Sequence, residues 1–193
     1  DNEGALNVMW VVGGGVWQGP VRISPTNHFP LGAHLAVGQQ LAHQLDVLAI
    51  DHSGALNVMW VVDGGVWQGP VGISSAEHFP PGAPLALERQ LANQISVVVI
   101  DQSGALNVMW VVDGGVWQGP VGISPAKYFP PGAGVSLALA QSVEPELEGF
   151  FPFLWIDSVD QFFLFAGAVD SFGHLNALMV KDAGNWQGPK VVH

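Results

Sequence analysis

Residues 54–74 read GALNVMWVVDGGVWQGPVGIS, and residues 104–124 repeat the same 21 letters without a change. Residues 4–20 match this stretch except that position 13 holds Gly in place of Asp. A more divergent copy, GHLNALMVKDAGNWQGP, begins at Gly173. The copies begin at positions 4, 54, 104 and 173, so the spacings are 50, 50 and 69. A repeat of this length is typical of solenoids, propellers and arrays.

One repeat contains four short apolar segments separated by turn residues. In the second repeat these segments are Leu45–Ile50, Ala55–Val62, Val66–Ile73 and Leu85–Gln90. Asp and Gly lie between the first three segments, as tight turns prefer. Alternate positions of ALNVMWVV are largely apolar on both faces, which predicts a strand covered on both sides. Pro70 cannot donate a hydrogen bond to a neighbouring strand, so its segment is expected at a sheet edge or a bulge.

Four antiparallel strands in about 50 residues are typical of one blade of a β-propeller. The packing of blades face to face also explains strands that are apolar on both sides. We therefore predict an all-β fold, a four-bladed β-propeller in which residues 1–193 form a single domain. Its repeat units are about 1–50, 51–100, 101–169 and a partial unit, 170–193. The alternatives are a β-trefoil and a β-prism.

The number of strands leaves the closure of the propeller open. The first unit lacks its two leading segments, so the repeats supply 14 strands, whereas four full blades need 16. The last interval contains an insert near 143–161, in which residues 150–157 could add one strand. We expect the N- and C-terminal segments to pair and close a monomeric ring. The alternative is a seven-bladed ring made by two chains.

Composition argues against several classes of partner. The net charge is −11, from 16 acidic and 5 basic residues, so the chain lacks the basic surface that nucleic acids and anionic membranes require. No apolar run reaches the ~18–20 residues that span a bilayer, and no signal peptide is visible. We expect a soluble protein and leave its compartment undetermined. The absence of cysteine excludes disulfides and thiolate metal sites.

The order of the segments resembles the blades of fucose-binding and related propeller lectins. The residues that carry this resemblance are Leu85-Ala86-Leu87, Asp101-Gln102-Ser103-Gly104, Trp110, Gly114-Gly115 and Trp117. The resemblance implies a propeller that binds sugars. Fucose lectins of this type hold the sugar with an Arg and a Glu on adjacent strands, and the aligned strands ISVVVI and ALNVMWVV carry neither. The count of four blades also resembles hemopexin-type domains, whose axial channel often holds ions.

A tryptophan followed by Gln-Gly-Pro occurs in every repeat. These tryptophans are Trp17, Trp67, Trp117 and Trp186. A tryptophan beside a tight turn can stack on a sugar ring, and the neighbouring amides of Gln68 and Gln118 could bind its hydroxyls. The alternative is that each tryptophan fills the gap between two blades.

Two polar residues also recur in each repeat. An asparagine interrupts the apolar strand at Asn7, Asn57, Asn107 and Asn176. A buried amide needs partners, so we expect it to bond the backbone or the repeated glutamines, and Asn57 and Asn107 are also candidate sugar ligands. An aspartate opens each hairpin turn at Asp1, Asp51, Asp101 and Asp170, where turn formation explains it. His28 and His78 occupy equivalent loop positions and are interpreted as ordinary loop residues.

The insert is rich in aromatic residues, with Phe153 and Trp155 at its centre. They could belong to the core of the last blade. Alternatively, they could line an apolar pocket for a planar ligand.

No motif of a known catalytic type is present, since GxSxG, HExxH and the P-loop are all missing. We therefore expect a non-enzymatic binding protein. The first hypothesis is lectin-like carbohydrate binding, with a glycan as the partner. The alternative is a chromoprotein-like carrier of a small hydrophobic or aromatic molecule, with a metal ion in the axial channel; a structural or storage protein is the third hypothesis. The sequence does not specify a metal or a cofactor.

Overall fold

A computed structural model describes residues 1–142 and 161–192 of the chain, and the regular elements of these residues are all β-strands. The strands are β1 (Asn7–Trp10), β2 (Gln18–Arg22), β3 (Leu35–Gly38), β4 (Gln44–Ile50), β5 (Leu56–Val62), β6 (Gln68–Gly72), β7 (Leu85–Leu91), β8 (Gln94–Ile100), β9 (Leu106–Val112), β10 (Gln118–Gly122), β11 (Val135–Ser142), β12 (Gln161–Val169), β13 (Leu175–Lys181) and β14 (Gln187–Val191). The four segments predicted for the second repeat therefore all form strands. In this part of the chain no helix is long and apolar enough to cross a membrane.

The strands form four separate antiparallel sheets. The sheets do not coincide with the repeats as predicted, because the fourth segment of the second repeat, β7, is the first strand of the next sheet. Blade 1 contains β1 and β2, blade 2 contains β3 to β6, blade 3 contains β7 to β10, and blade 4 contains β11 to β14. Within each four-stranded blade, the strands follow one another in chain order. The first strands of blades 2, 3 and 4 contact each other in sequence, β3 against β7 and β7 against β11. The predicted all-β propeller of four repeats with four-stranded blades is confirmed, and blade 1 contributes two strands.

The blades pack face to face through their apolar side chains. Between blades 2 and 3, a buried cluster joins Leu48 and Val58 of blade 2 to Val97 and Met109 of blade 3. A second cluster lies between blades 3 and 4 and includes Phe129 from the connecting loop. Both faces of β5 and β9 are buried in this way, which confirms the strand covered on both sides. Burial of this kind contributes about 25 cal/mol per Å² of apolar surface.

The turn before each long strand is held by its aspartate. In blade 2, one oxygen of Asp51 accepts hydrogen bonds from the backbone N–H groups of Ser53 (2.8 Å) and Ala55 (3.0 Å) and from the Ser53 hydroxyl (2.6 Å). Gly54 follows with a φ of +79° and approaches the Phe79 carbonyl so closely that a Cβ would collide with it. Asp101 and Asp170 repeat this role, so the predicted turn function of the aspartates is confirmed.

The strand that contains Gly-Pro lies at the outer edge of every blade. In blade 2 this strand is β6, and its pairing with β5 shifts register between Val58 and Trp60, the stretch opposite Pro70. The same shift occurs in the other three blades. The predicted edge or bulge position of Pro70 is thus confirmed, because the missing N–H costs nothing there.

Blade 1 leaves apolar residues exposed that the other blades bury. Met9 is 53% exposed, whereas the equivalent Met59 and Met109 are 0% and 1% exposed. In blades 2 and 3 the strand that holds this methionine pairs with an inner neighbour, β4 or β8, and none of the described strands takes this place in blade 1. The predicted strand at 150–157, Phe153 and Trp155 lie outside the described residues. The closure of the ring and the domain boundaries therefore stay predictions.

Candidate functional site

Two equivalent grooves run between neighbouring complete blades. Groove A lies between blades 2 and 3 and has a volume of about 450 Å³. Groove B lies between blades 3 and 4 and has a volume of about 580 Å³. Groove B is lined by Ser124 and by Asn185, which stands where groove A has Val116. Five further polar and aromatic positions define both grooves: Gln40, Gln44, Asp46, Trp60 and Trp117 in groove A, and Gln90, Gln94, Ser96, Trp110 and Trp186 in groove B. Four of these five positions hold the same residue type in both grooves.

Strand register places the groove residues in one row. Gln44 and Asp46 are two positions apart on β4, so their side chains share a face. Asp46 lies opposite Trp60 on β5, and Trp60 lies opposite Gln68 on β6. In groove B, Ser96, Trp110 and Gln118 form the equivalent row. Gln68 and Gln118 therefore stand at the outer end of each row, where Gln68 is exposed and donates to the Val66 carbonyl at 3.2 Å.

The opposite wall of each groove comes from the next blade. Residues 114–117 supply this wall in groove A, through the tight turn that ends in Trp117. Trp60 and Trp117 are half-buried and pack against the core between blades 2 and 3, and Trp110 and Trp186 do the same between blades 3 and 4. Each groove thus presents two tryptophans that are partly covered by the core. The repeated tryptophan therefore packs in the gap between two blades, as one interpretation of the sequence predicts. Its role in ligand binding stays a prediction.

A buried glutamine in each groove has an amide nitrogen without a partner. Gln40 is 2% exposed and Gln90 is 3% exposed, and the Nε2 atom of each makes no hydrogen bond within the described residues. Buried polar atoms are usually satisfied, and leaving one unpaired costs about 1–3 kcal/mol. The two residues are 50 positions apart and occupy the same place in their grooves. Each groove therefore offers an unused N–H donor at its floor.

The polar side chain next to the buried glutamine differs between the grooves. In groove A, Asp46 is 2% exposed and accepts from Gln44 Nε2 (2.8 Å) and from the Gln40 backbone N–H (3.3 Å). Burial raises the pKa of Asp46 above its usual value, and the two hydrogen bonds counter this only in part. In groove B, Ser96 takes the position of Asp46 and lies 3.5 Å from Gln90 Oε1. Groove A contains a carboxylate where groove B contains a hydroxyl.

A third groove, between blades 1 and 2, lacks the polar floor. Groove C has a volume of about 940 Å³ and is lined by Val8, Met9, Trp10 and Val21 opposite Trp67. Among the described residues, blade 1 has no counterpart of β4, which holds Gln44, or of the turn before it, which holds Gln40. The blade 1 wall is therefore mostly apolar, with Arg22 and Ser24 as its polar residues. Trp17, on the outer side of blade 1, is 63% exposed.

The repeated asparagines are engaged within their own turns. Asn57 is buried and donates to Asp51 Oδ2 (2.8 Å) and to the Ala55 carbonyl (3.0 Å). Asn107 makes the same two bonds in blade 3. The expected backbone bond is present, whereas the partner side chain is the turn aspartate rather than the repeated glutamine. Burial raises the pKa of Asp51 and Asp101, but hydrogen bonds from serine, asparagine and backbone N–H groups outweigh it and lower both values.

The loop histidines pack against the phenylalanine that follows each of them. His28 and His78 meet Phe29 and Phe79 edge to face, with ring centroids 4.7 and 4.5 Å apart. Among the residues whose positions are described, no group of three or more His, Asp or Glu side chains could hold a metal ion.

The sequence predicted one of the five residues that define each groove. It identified Trp117 and Trp186 but missed Trp60 and Trp110, and it missed the glutamines and Asp46 at the floor. The signal for the floor was available, because Gln40 and Gln90, like Gln44 and Gln94, recur at a spacing of 50. The sequence could not predict that the glutamines of one repeat lie beside the tryptophan of the next repeat.

Comparison with known proteins identifies solved structures with the same blade layout. No protein-family model and no curated protein matches the chain. The crystal structure of BP39L lectin from Burkholderia pseudomallei is 44% identical with a TM-score of 0.83, and the match covers the whole of this chain and 50% of that chain. A fucose-specific lectin from Aleuria aurantia is 15% identical with a TM-score of 0.56, over 86% of this chain and 51% of that one. A fucose lectin from Kordia zhangzhouensis, solved with methyl-fucoside, is 13% identical with a TM-score of 0.50, over 82% of this chain and all of that one.

These matches agree with the blade layout that the repeats predict. The two more distant structures support the fold alone, because their identity to this chain is low. The chain spans about half the length of the Burkholderia lectin. In blade layout, the chain resembles the fucose-type propeller lectins.

Proposed function

We propose that the chain is a non-enzymatic, lectin-like protein that binds glycans in the grooves between its blades. The observation that carries this proposal is the recurrence of one arrangement, two half-buried tryptophans around a buried glutamine with an unused N–H. Aromatic faces bind the apolar face of a sugar ring, and a few fixed polar groups orient it. The 44% identity to BP39L lectin supports the same function.

The arrangement of the grooves supports glycan binding but does not specify which sugar is bound. The Arg and Glu of the fucose lectins are missing from the aligned strands, so we do not assign fucose as the ligand. The grooves offer amide donors and one carboxylate for neutral hydroxyl-bearing sugars. Repetition of similar weak sites in one molecule raises its avidity for a surface that displays many copies of a glycan.

The carrier hypothesis is the weaker alternative. It was based on the aromatic insert around Phe153 and Trp155, which lies outside the described residues. The similar structures reported above are all lectins. No observation on the described residues favours a pigment or a metal ion as the ligand.

A glycan array with tryptophan variants tests the proposal. The array should be probed with the native protein and with Trp117→Ala, Trp186→Ala and the double variant. We expect each single change to weaken multivalent binding roughly tenfold and the double change to abolish it, because each removes one stacking face.

Trp17→Ala is the matched control, because Trp17 has the same local sequence but lines neither groove A nor groove B. It should leave binding unchanged. Loss of binding in Trp17→Ala equal to that in Trp117→Ala would contradict the proposed sites. Failure to bind any glycan, at millimolar concentrations of free sugar as well as on the array, would contradict the function.

A further inference from the structure

We propose that grooves A and B are two different binding sites, and that Asp46 makes groove A select glycan units by charge. Groove A should prefer a sugar that carries a protonated amine and reject one that carries a carboxylate, whereas groove B should not distinguish them. This inference rests on the proposed glycan-binding function and adds the class of ligand for each groove.

The first support is the direct comparison that the repeats provide. Gln40 and Gln90, Gln44 and Gln94, and the two pairs of tryptophans are equivalent between the grooves. Among the defining residues, the change from Asp46 to Ser96 is the single difference in residue type. A difference in charge preference between the grooves can therefore be traced to this position, because the other polar change, from Val116 to Asn185, is between neutral residues.

The second support is that Asp46 faces groove A without a counter-charge. Its hydrogen-bond partners, Gln40 and Gln44, are neutral, and among the described residues no other side chain that lines groove A is ionisable. In the same part of the chain, groove B has no ionisable lining residue. A buried carboxylate without a cation is costly, and a ligand with a protonated amine would supply that cation through a charge-assisted hydrogen bond.

An aspartate takes the equivalent position in the turn beside each groove. Asp113 precedes Gly114 at the rim of groove A and accepts a hydrogen bond from Asn93 at 2.7 Å. Asp182 takes the equivalent position beside groove B and accepts from the Phe162 backbone N–H at 2.9 Å. Because both positions carry an aspartate, these two residues do not explain a difference between the grooves.

The test uses three probes that share the glucose ring but carry a positive, a neutral and a negative group: methyl glucosaminide, methyl glucoside and methyl glucuronide. The protein is labelled with 5-fluorotryptophan, and its fluorine resonances are assigned by single Trp→Phe changes. Trp60 and Trp117 then report on groove A, and Trp110 and Trp186 report on groove B. A matched series based on galactose is run in the same way.

We expect groove A to bind the glucosaminide at least about tenfold more tightly than the glucuronide, as one charge-assisted hydrogen bond would give. In groove B the two affinities should agree within about twofold. Asp46→Ser should bring groove A to the behaviour of groove B, and Asp46→Asn provides a second neutral variant of nearly native shape. Ser96→Asp should transfer the preference to groove B.

The possible outcomes separate the two proposals. Equal charge preference in both grooves, or a preference in groove A that survives both neutral variants, would overturn the role of Asp46 while leaving glycan binding intact. If none of the probes shifts any of the four resonances, and the array is also negative, the glycan-binding function itself fails. Acidification should weaken the preference of groove A, because protonation removes the charge of Asp46.

Discussion

At the scale of single residues, each repeat is organised by an Asp–Asn pair that closes the turn. Asp101 accepts four hydrogen bonds, one of them from Asn107 Nδ2 at 2.8 Å. Asp101→Asn would place an amide donor against that of Asn107, and we expect the free energy of unfolding to fall by about 1–3 kcal/mol. Thermal or urea unfolding measures this change. The exchange variant, Asp101→Asn with Asn107→Asp, should recover part of the lost free energy of unfolding. If it recovers none, the hydrogen bond between these two side chains is not the cause of the loss.

The contribution of these turns to stability should fall as the pH falls. The pKa values of Asp51, Asp101 and Asp170 are lowered in the folded chain. An acid whose pKa is lower when folded stabilises the fold above its unfolded pKa, and this contribution is lost as the pH falls through the folded pKa. We therefore expect these turns to contribute full stability at neutral pH and less in acid. In Asp101→Asn, the loss relative to the native chain should shrink as the pH falls, and a loss independent of pH would contradict this account.

The pKa of Asp46 shifts in the opposite direction, so its effect on stability depends on pH in the opposite way. Because burial raises its pKa in the folded chain, its ionised form opposes folding above that pKa, and the penalty disappears in acid. Asp46→Ser, which copies Ser96 of the next blade, should raise the free energy of unfolding at neutral pH by ~1 kcal/mol. Unfolding at neutral and acidic pH should show the gain shrinking as Asp46 becomes protonated. A variant less stable than the native chain at neutral pH would mean that the hydrogen bonds of Asp46 outweigh its burial.

At the scale of strands, β1 has the same sequence as the start of β5 and β9 but a different environment. Met9 is 53% exposed, whereas Met59 and Met109 are almost fully buried. Mild peroxide should therefore oxidise Met9 well before Met59 or Met109. Trypsin separates these three methionines into different peptides, because Arg22, Arg89 and Lys127 lie between or after them, and mass spectrometry then gives each rate.

The denatured chain is the control for this experiment, since its methionines should react at similar rates. If Met9 in the folded chain is as protected as Met59, then another segment covers β1 in solution. That result would support the ring closed by terminal segments that the sequence predicts.

The strands were predictable because the information for each lies within a few residues. Alternating apolar positions, Asp-x-x-Gly turns and Pro70 specify strand, turn and edge locally. The grooves were not predictable in full, because they combine Gln40 with Trp117, which are 77 positions apart in sequence. Their proximity depends on how one blade packs against the next. The inequality of grooves A and B is visible in the sequence, at positions 46 and 96, but has meaning only once both side chains are known to face a groove.

At the scale of the whole molecule, the described residues give blade 1 the two outer strands of a blade and place no inner strand beside them. Among the described strands, a second copy of the chain would bring another outer pair, β1 and β2, to this edge. The monomeric ring and the seven-bladed ring made by two chains both stay predictions. The residues that would complete blade 1 should resemble β7 and β8, which pair with β9 in blade 3.

A chain extended by one inner hairpin tests this view of the molecule. A copy of residues 85–100, LALERQLANQISVVVI, is placed directly before Asp1, so that it meets the turn at residues 1–4 as β8 meets the turn at 101–104. We expect the hairpin to pair with β1, bury Met9 and raise the free energy of unfolding by about 1 kcal/mol or more, the value of burying half of one methionine. The same hairpin with Val98→Pro is the control, since proline in a central strand removes a hydrogen bond between strands. If the extended chain is no more stable than the control and its Met9 oxidises at the native rate, the edge of β1 does not accept an inner hairpin, and the exposed face of blade 1 needs another explanation.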